Sequence, residues 1–218
     1  MGKVYIMEDT CIDPITTIGK MSGVCYGSDI TSKQKNYQRG LDNLISGHWR
    51  ALEFVQVYLV LDGYSARVIR ELYTHIGGAP TRLQASTRYI DYSNFNFITP
   101  PSINTDEKKE IYNKIMNDIS NACNQLKELD VPKEDIANLL PLGMETKVVM
   151  RTNLRQLIDM SHQRLCNRAY WEFRKLMKDI MNSLSCLSEE WSYIVSTYFI
   201  PKCEFLGECT ETRPCKKH

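Results

Sequence analysis

The chain has 218 residues, 43% hydrophobic and 24% charged, a globular composition that excludes disordered and collagen-like classes. Twenty-seven basic against 26 acidic side chains leave a net charge of +1, which argues against a nucleic acid as main partner but leaves room for local patches that hold small phosphates. The length suits one domain with a real core.

Val4 to Met7 is a short apolar run that predicts a first strand, and Pro14 marks the start of a helix carrying Ile15, Ile18, Met21 and Cys25. Tyr37, Leu41 and Leu44 predict a second helix ending near Gly47. Leu52 to Leu61, rich in β-branched and aromatic residues, predicts the strongest strand, closed by Gly63. Ser65 is the expected N-cap of a helix through Val68, Ile69, Leu72 and Tyr73, and Gly77, Gly78 and Pro80 break the chain beyond His75 into an irregular loop, Gly77 to Leu83. After Pro100 and Pro101, Thr105 caps a long predicted helix with Ile111, Ile115, Ile119 and Leu126 on one face and Asp106 and Glu107 at its dipole-favoured start. Met144 to Met150 predicts a strand, and helices are expected around Leu154 to His162 and Asn167 to Leu184. Strands and helices without regular alternation point to an α+β fold.

Met1 to Thr10 shows no basic segment followed by a long apolar run, and no later stretch is apolar enough to span a bilayer, so neither a signal peptide nor a membrane partner is expected. Eight dispersed cysteines read as reduced thiols of a cytoplasmic protein. Cys203, Cys209 and Cys215 recur every six residues with His218 behind them, but without the paired C-x-x-C of a zinc ribbon no metal is expected.

The densest polar stretch is GGAPTRLQASTRY, Gly77 to Tyr89, where arginines, threonines, a glutamine and a serine surround a glycine-proline turn. Guanidinium, hydroxyl and backbone N–H groups in that setting suit anion capture, and a solvated surface loop accounts for them equally well. P-loop and dinucleotide glycine motifs are absent, and Ser86 and His75 have no hydrolase elbow or triad context. His48 and Glu53 flank the entry to the strongest strand, a position open to a ligand or to a structural histidine.

SGHWRALEF (Ser46 to Phe54), RELYTH (Arg70 to His75) and RLQASTRYIDYSNFNF (Arg82 to Phe97) together resemble flavin-dependent thymidylate synthases, in which a GHxxxxE segment precedes a strand and an RHR helix end precedes SxRY. VCYG at Val24 to Gly27, LLPLGMETKVVMRTNLRQLIDM and QRLCNRAYWEF extend the likeness over roughly Met1 to Ser185. The resemblance implies a synthase-like domain over residues 1–200, with a mixed or antiparallel sheet flanked by helices and assembling as a homotetramer, and a cysteine-bearing tail over 201–218. It implies methylation of dUMP to dTMP, with methylenetetrahydrofolate as carbon donor and a hydride from FAD supplied by NADPH. Position by position it places Glu71, Gln84, Ala85, Ser86, Thr87, Arg88, Lys147 and Arg164 at the nucleotide, with Ser86 and Arg164 catalytic. His48, Glu53, Thr74, His75, Asn153, Arg155 and Asp159 fall at the flavin. Two departures stand out: RHR reads Thr74-His75-Ile76, and Lys147 stands where arginine is usual. The loop before Ser86 is about two residues longer than the family pattern, and Arg82 on it is the expected replacement for the lost charge. The missing arginines also motivate an alternative, a homologue that binds nucleotide or flavin but has lost methyl transfer. A weaker third class is an interaction protein that uses the tail.

Overall fold

The computed structural model describes residues 2–215, so His218 lies outside the described residues. The chain runs β1 (Lys3–Ile6), α1 (Pro14–Cys25), α2 (Lys33–Ile45), a 3-10 helix (Trp49–Phe54), β2 (Gln56–Ser65), α3 (Ala66–Leu72), β3 (Thr81–Gln84), α4 (Asp106–Glu128), α5 (Lys133–Ile136), a 3-10 turn (Ala137–Leu139), β4 (Glu145–Asn153), α6 (Leu154–Arg164), α7 (Trp171–Ser185), α8 (Glu189–Tyr198) and α9 (Lys202–Leu206). The four strands form one small sheet in the order β1-β2-β4-β3. Its pairing is antiparallel: along β3 and β4, Arg151 donates to Thr81 Oγ1 while Ala85 N–H donates to the Lys147 carbonyl. An α+β fold with a small antiparallel sheet and flanking helices is therefore what the chain adopts.

Contacts divide the chain into two compact units. The first comprises Leu61–Thr74 and Leu83–Val148 with the N-terminal residues up to Lys3. Its apolar core gathers Phe95, Met116 and Met144, with Tyr92, Phe97 and Tyr112 packed on them. The expected caps hold here: Ser65 Oγ accepts from Val68 N–H at 3.1 Å and Thr105 Oγ1 from Lys108 N–H at 3.4 Å. The apolar face of α4 differs from expectation. Tyr112, Met116, Ile119 and Cys123 turn inward, while Ile111 and Ile115 are exposed. The helix carries two apolar stripes, and packing against Phe95 and Met144 selects the other one.

The second unit comprises Val4–Val60, His75–Arg82 and the described residues from Val149 onward. Buried Ile15, Ile18, Leu52, Leu157, Phe173 and Trp191 form part of its core, and the Trp191 indole N–H donates to the Cys11 carbonyl at 2.7 Å. Helices α1 and α2 cross on two glycines: a β-carbon at Gly19 would lie 1.7 Å from the Asn36 carbonyl oxygen, and one at Gly40 would lie 1.9 Å from that of Ile15. The strand expected over Leu52 to Leu61 starts later, because Trp49–Phe54 closes into a 3-10 helix and β2 begins at Gln56. Gly63 does not end that strand, which runs through it at φ +70° to Ser65. Part of the expected loop over Gly77 to Leu83 is strand β3.

Candidate active site

The second unit includes His75 and the turn that follows it, through Gly77 to Arg82. The turn is held from three sides. Asn153 caps α6, accepting from Gln156 N–H at 2.9 Å, and its amide N–H points to the Gly78 carbonyl at 3.4 Å. Arg151 donates to the Ala79 carbonyl at 3.2 Å, and Gln156 Nε2 to the His75 carbonyl at 2.7 Å. Gly78 sits at φ +68°, where a side chain would be strained, and a β-carbon there would push on Asn153 Nδ2 at 2.6 Å. Ala79 also sits in the left-handed region, at φ +48°.

This bracing brings Arg82 back onto His75, to whose carbonyl it donates at 3.1 Å. Arg164, at the end of α6, donates Nε–H to His75 Nε2 at 2.8 Å, and its guanidinium lies 4.5 Å from the centroid of the Phe173 ring. Burial, then the Arg164 and Arg82 guanidinium groups, push the His75 pKa down to about 4. At neutral pH the imidazole is thus uncharged, with Nε2 as acceptor and the proton on Nδ1. Two cations and a neutral acceptor stand where the sequence lacks both arginines beside the histidine.

Two neighbouring cavities in the same unit gather further candidates. One, about 460 Å³, is lined by His48, Trp49, Phe54 and Arg155 among others. The other, about 340 Å³, is lined by Glu53, Gly77, Gly78, Gln156 and Asp159. Arg50 and Arg155 line both. Arg155 pairs with Asp159 at 3.1 Å and lies 5.2 Å from the Trp49 ring centroid, while Arg50 reaches Glu53 at 3.7 Å. Arg50, Trp49 and Gln156 were missed in the sequence. The first two lie inside SGHWRALEF, between His48 and Glu53, and the third follows Arg155 directly.

The first unit carries the other set. Gln84 donates to Thr146 Oγ1 at 3.3 Å, and Ala85 extends the ladder to Lys147. Ser86 Oγ accepts the Arg88 backbone N–H at 3.2 Å, a local turn that fixes the segment. Arg88 pairs with Glu134 at 2.8 Å, the two side chains being 67% and 54% exposed, and Lys147 pairs with Asp62 at 2.8 Å. Thr87 lines a small cavity with Ile90, Tyr92 and Lys133. The Glu71 carbonyl accepts from the Thr74 hydroxyl at 2.7 Å, and Thr74, expected with the flavin set, belongs to this unit, in the turn that follows α3. Arg164, expected with the nucleotide set, belongs to the second.

The fold and these residues define a class: an α+β protein with guanidinium-lined clefts and polar loops suited to anionic, nucleotide-sized ligands. The family described as "Thymidylate synthase complementing protein" matches residues 7–187, and the chain belongs to it. The chain is 30% identical over 179 residues to the flavin-dependent thymidylate synthase of Nitratidesulfovibrio vulgaris, covering 77% of this chain and 70% of that protein. It is 26% identical over 235 residues to the enzyme of that name from Clostridium tetani, covering 96% and 90%. Among solved structures, a flavin-dependent thymidylate synthase from Helicobacter pylori complexed with FAD and dUMP superposes with a TM-score of 0.71 over 90% of this chain and 99% of that one. At 17% identity, that likeness speaks for the fold.

Proposed function

We propose that the chain methylates dUMP to dTMP, with methylenetetrahydrofolate as carbon donor and a flavin hydride drawn from NADPH, and that it works as a homotetramer. The observation that supports this reading is the return of Arg82 to His75 beside Arg164, which puts two guanidinium groups at the histidine. The second unit suits a flavin dinucleotide: Trp49, Phe54 and His48 offer flat surfaces, and Arg50 and Arg155 offer charge for a pyrophosphate. When bound and reduced, FAD supplies the hydride.

The protein's own part is charge, orientation and exclusion of water. Arg88 takes the nucleotide phosphate by leaving Glu134. An exposed ion pair contributes about 0–1 kcal/mol, less than the roughly 1.5–3 kcal/mol of a hydrogen bond to a charged group, so the exchange is favourable. Ser86 serves as a positioning hydroxyl, with Gln84, Thr87, Lys147 and, from α3, Glu71 as further polar contacts. Arg164, oriented by neutral His75, stabilises negative charge developing on the pyrimidine carbonyl. Asn153 acts through the Gly78 turn that it holds. Exposed Leu83, Tyr89, Ile90, Ile111, Ile115 and Leu129 in the first unit supply apolar surface for subunit contacts.

Release of tritium from C5-labelled dUMP, measured with FAD, NADPH and methylenetetrahydrofolate present, tests the reaction. Cofactor-dependent release is expected. Yellow protein that binds dUMP and releases no tritium would instead establish the homologue without methyl transfer, and light scattering at the mass of a monomer would refute the tetramer.

A further inference from the structure

Four of the eight cysteines face one cavity at the C-terminal end of the second unit. Cys166 comes from the turn between α6 and α7, Cys203 from the first turn of α9, and Cys209 and Cys215 from the stretch after that helix; the space they line is about 260 Å³. Backbone geometry and two tethers bring them there. Gly207 ends α9 in the left-handed region, φ +76°, which turns the chain away from the helix axis after Cys203 and toward Cys209. Arg168, two residues after Cys166, pairs with Glu211 at 2.7 Å and donates to the Arg213 carbonyl at 2.9 Å. Asn167 Nδ2 lies 3.8 Å from Cys215 Sγ. The turn that carries Cys166 is itself fixed, because Arg174 donates to the Asn167 carbonyl at 2.7 Å and also to that of Ala169.

We propose that this cavity is a structural zinc site with Cys166, Cys203, Cys209 and Cys215 as its four thiolate ligands. Thiolate is the ligand that selects a soft or borderline cation, and a closed set of four suits a structural rather than a catalytic ion. Arg168 lines the same cavity, where its pair with Glu211 holds the stretch between Cys209 and Cys215 against the Cys166 turn. Among the described residues no three ligating side chains already converge on a single point. The sulfurs therefore draw together as the ion binds, which is how metal binding and local folding are coupled. Cys209 and Cys215 lie in a stretch without helix or strand, so closing the site breaks no backbone ladder. The sequence alone pointed away from metal because three evenly spaced thiols fit no common ligand pattern. The fourth ligand, Cys166, comes from a distant part of the chain.

The consequence of the site lies at α9. Phe205 on that helix stacks on His162 at 4.6 Å and meets Trp49 at 5.5 Å between ring centroids. An ion that pins Cys203 to Cys166 therefore anchors the helix that braces Trp49.

The test uses the full chain, purified without chelator, and reads metal by elemental analysis. About one zinc per chain is expected, falling below about a fifth of that in Cys166→Ser and in Cys215→Ser and staying unchanged in Cys186→Ser, whose thiol lies elsewhere. Cobalt-grown wild-type protein should show the intense d–d absorption of tetrahedral thiolate coordination, a readout that does not depend on any variant folding. Absence of zinc together with absence of the cobalt signature would overturn the site. So would iron with acid-labile sulfide in place of zinc, or an intact mass lower by two or four hydrogens, which would show the thiols paired as disulfides.

Discussion

The two units hold their candidate residues in different ways. In the second, His75 is bounded by Arg82, Arg164, Gln156 and Phe173, and the loop after it is fastened by Asn153 and Arg151. In the first, the Arg88 and Lys147 side chains are more than half exposed and pair with the carboxylates of Glu134 and Asp62. A braced group needs little reordering when a ligand arrives, whereas an exposed ion pair must be exchanged for it. The difference indicates that the candidate residues of the second unit are set by folding, whereas those of the first, under the proposed function, are completed by the ligand.

The largest effect is expected where the exchange occurs. Arg88→Ala should weaken dUMP binding by about 2–3 kcal/mol, the loss of a charge-assisted bond to a phosphate, with flavin content nearly unchanged. Calorimetry for the nucleotide and absorbance for the flavin read the two halves separately. Unchanged dUMP affinity with lost flavin would reverse the assignment.

Next comes the braced side. Arg82→Ala should lower turnover at least about tenfold, roughly 1.4 kcal/mol in the barrier, with the oligomer intact on a sizing column. Wild-type tritium release from that variant would mean that Arg164 alone suffices. The pH dependence of stability probes the same cluster. His75 has a folded-state pKa of about 4, below its ordinary value of 6.5, so the unfolded chain binds the extra proton between those pH values. Its contribution is fully present above pH 6.5 and declines as the pH falls toward 4, by at most about 1.4 kcal/mol per pH unit. Urea melts across that window should show a steeper decline for wild type than for His75→Gln, which keeps an acceptor for Arg164 and does not titrate. Parallel slopes would show that His75 is not the titrating group.

The smallest effect is the release of Arg88 from its partner. Glu134→Gln should tighten dUMP by no more than about 1 kcal/mol, because the pair it removes is exposed. A loss of affinity would mean that Glu134 orients Arg88 rather than competing for it.

How far the sequence reached depends on the same division between local and long-range causes. Pro14, Ser65 and Thr105 announce helix starts by chemistry confined to one turn, and all three start helices. Strand β3 escaped notice because its pairing with β4 overrides a glycine-proline context that reads as loop. Helix α8 escaped too, since its Tyr193, Ile194 and Val195 favour strands locally, although Ser188 caps it by accepting from Trp191 N–H at 3.2 Å. At the site, Arg82 drew attention as the basic residue on the lengthened loop, and it donates to the His75 carbonyl. The Arg164–His75 hydrogen bond was not legible, since it joins residues 89 positions apart.

The crossing of α1 and α2 limits what sequence change can do. Replacing a helical glycine by alanine ordinarily stabilises a protein by about 0.5–1 kcal/mol, and an engineer surveying this chain would choose Gly19 and Gly40 first. Both would fail, for a reason that no second substitution repairs. The atoms a new methyl would strike are backbone carbonyl oxygens, of Asn36 and Ile15, and not side chains that a compensating mutation could shorten. These two positions are thus closed to alanine scanning and to gradual drift alike, and a relative with a larger residue at either must carry its first two helices farther apart.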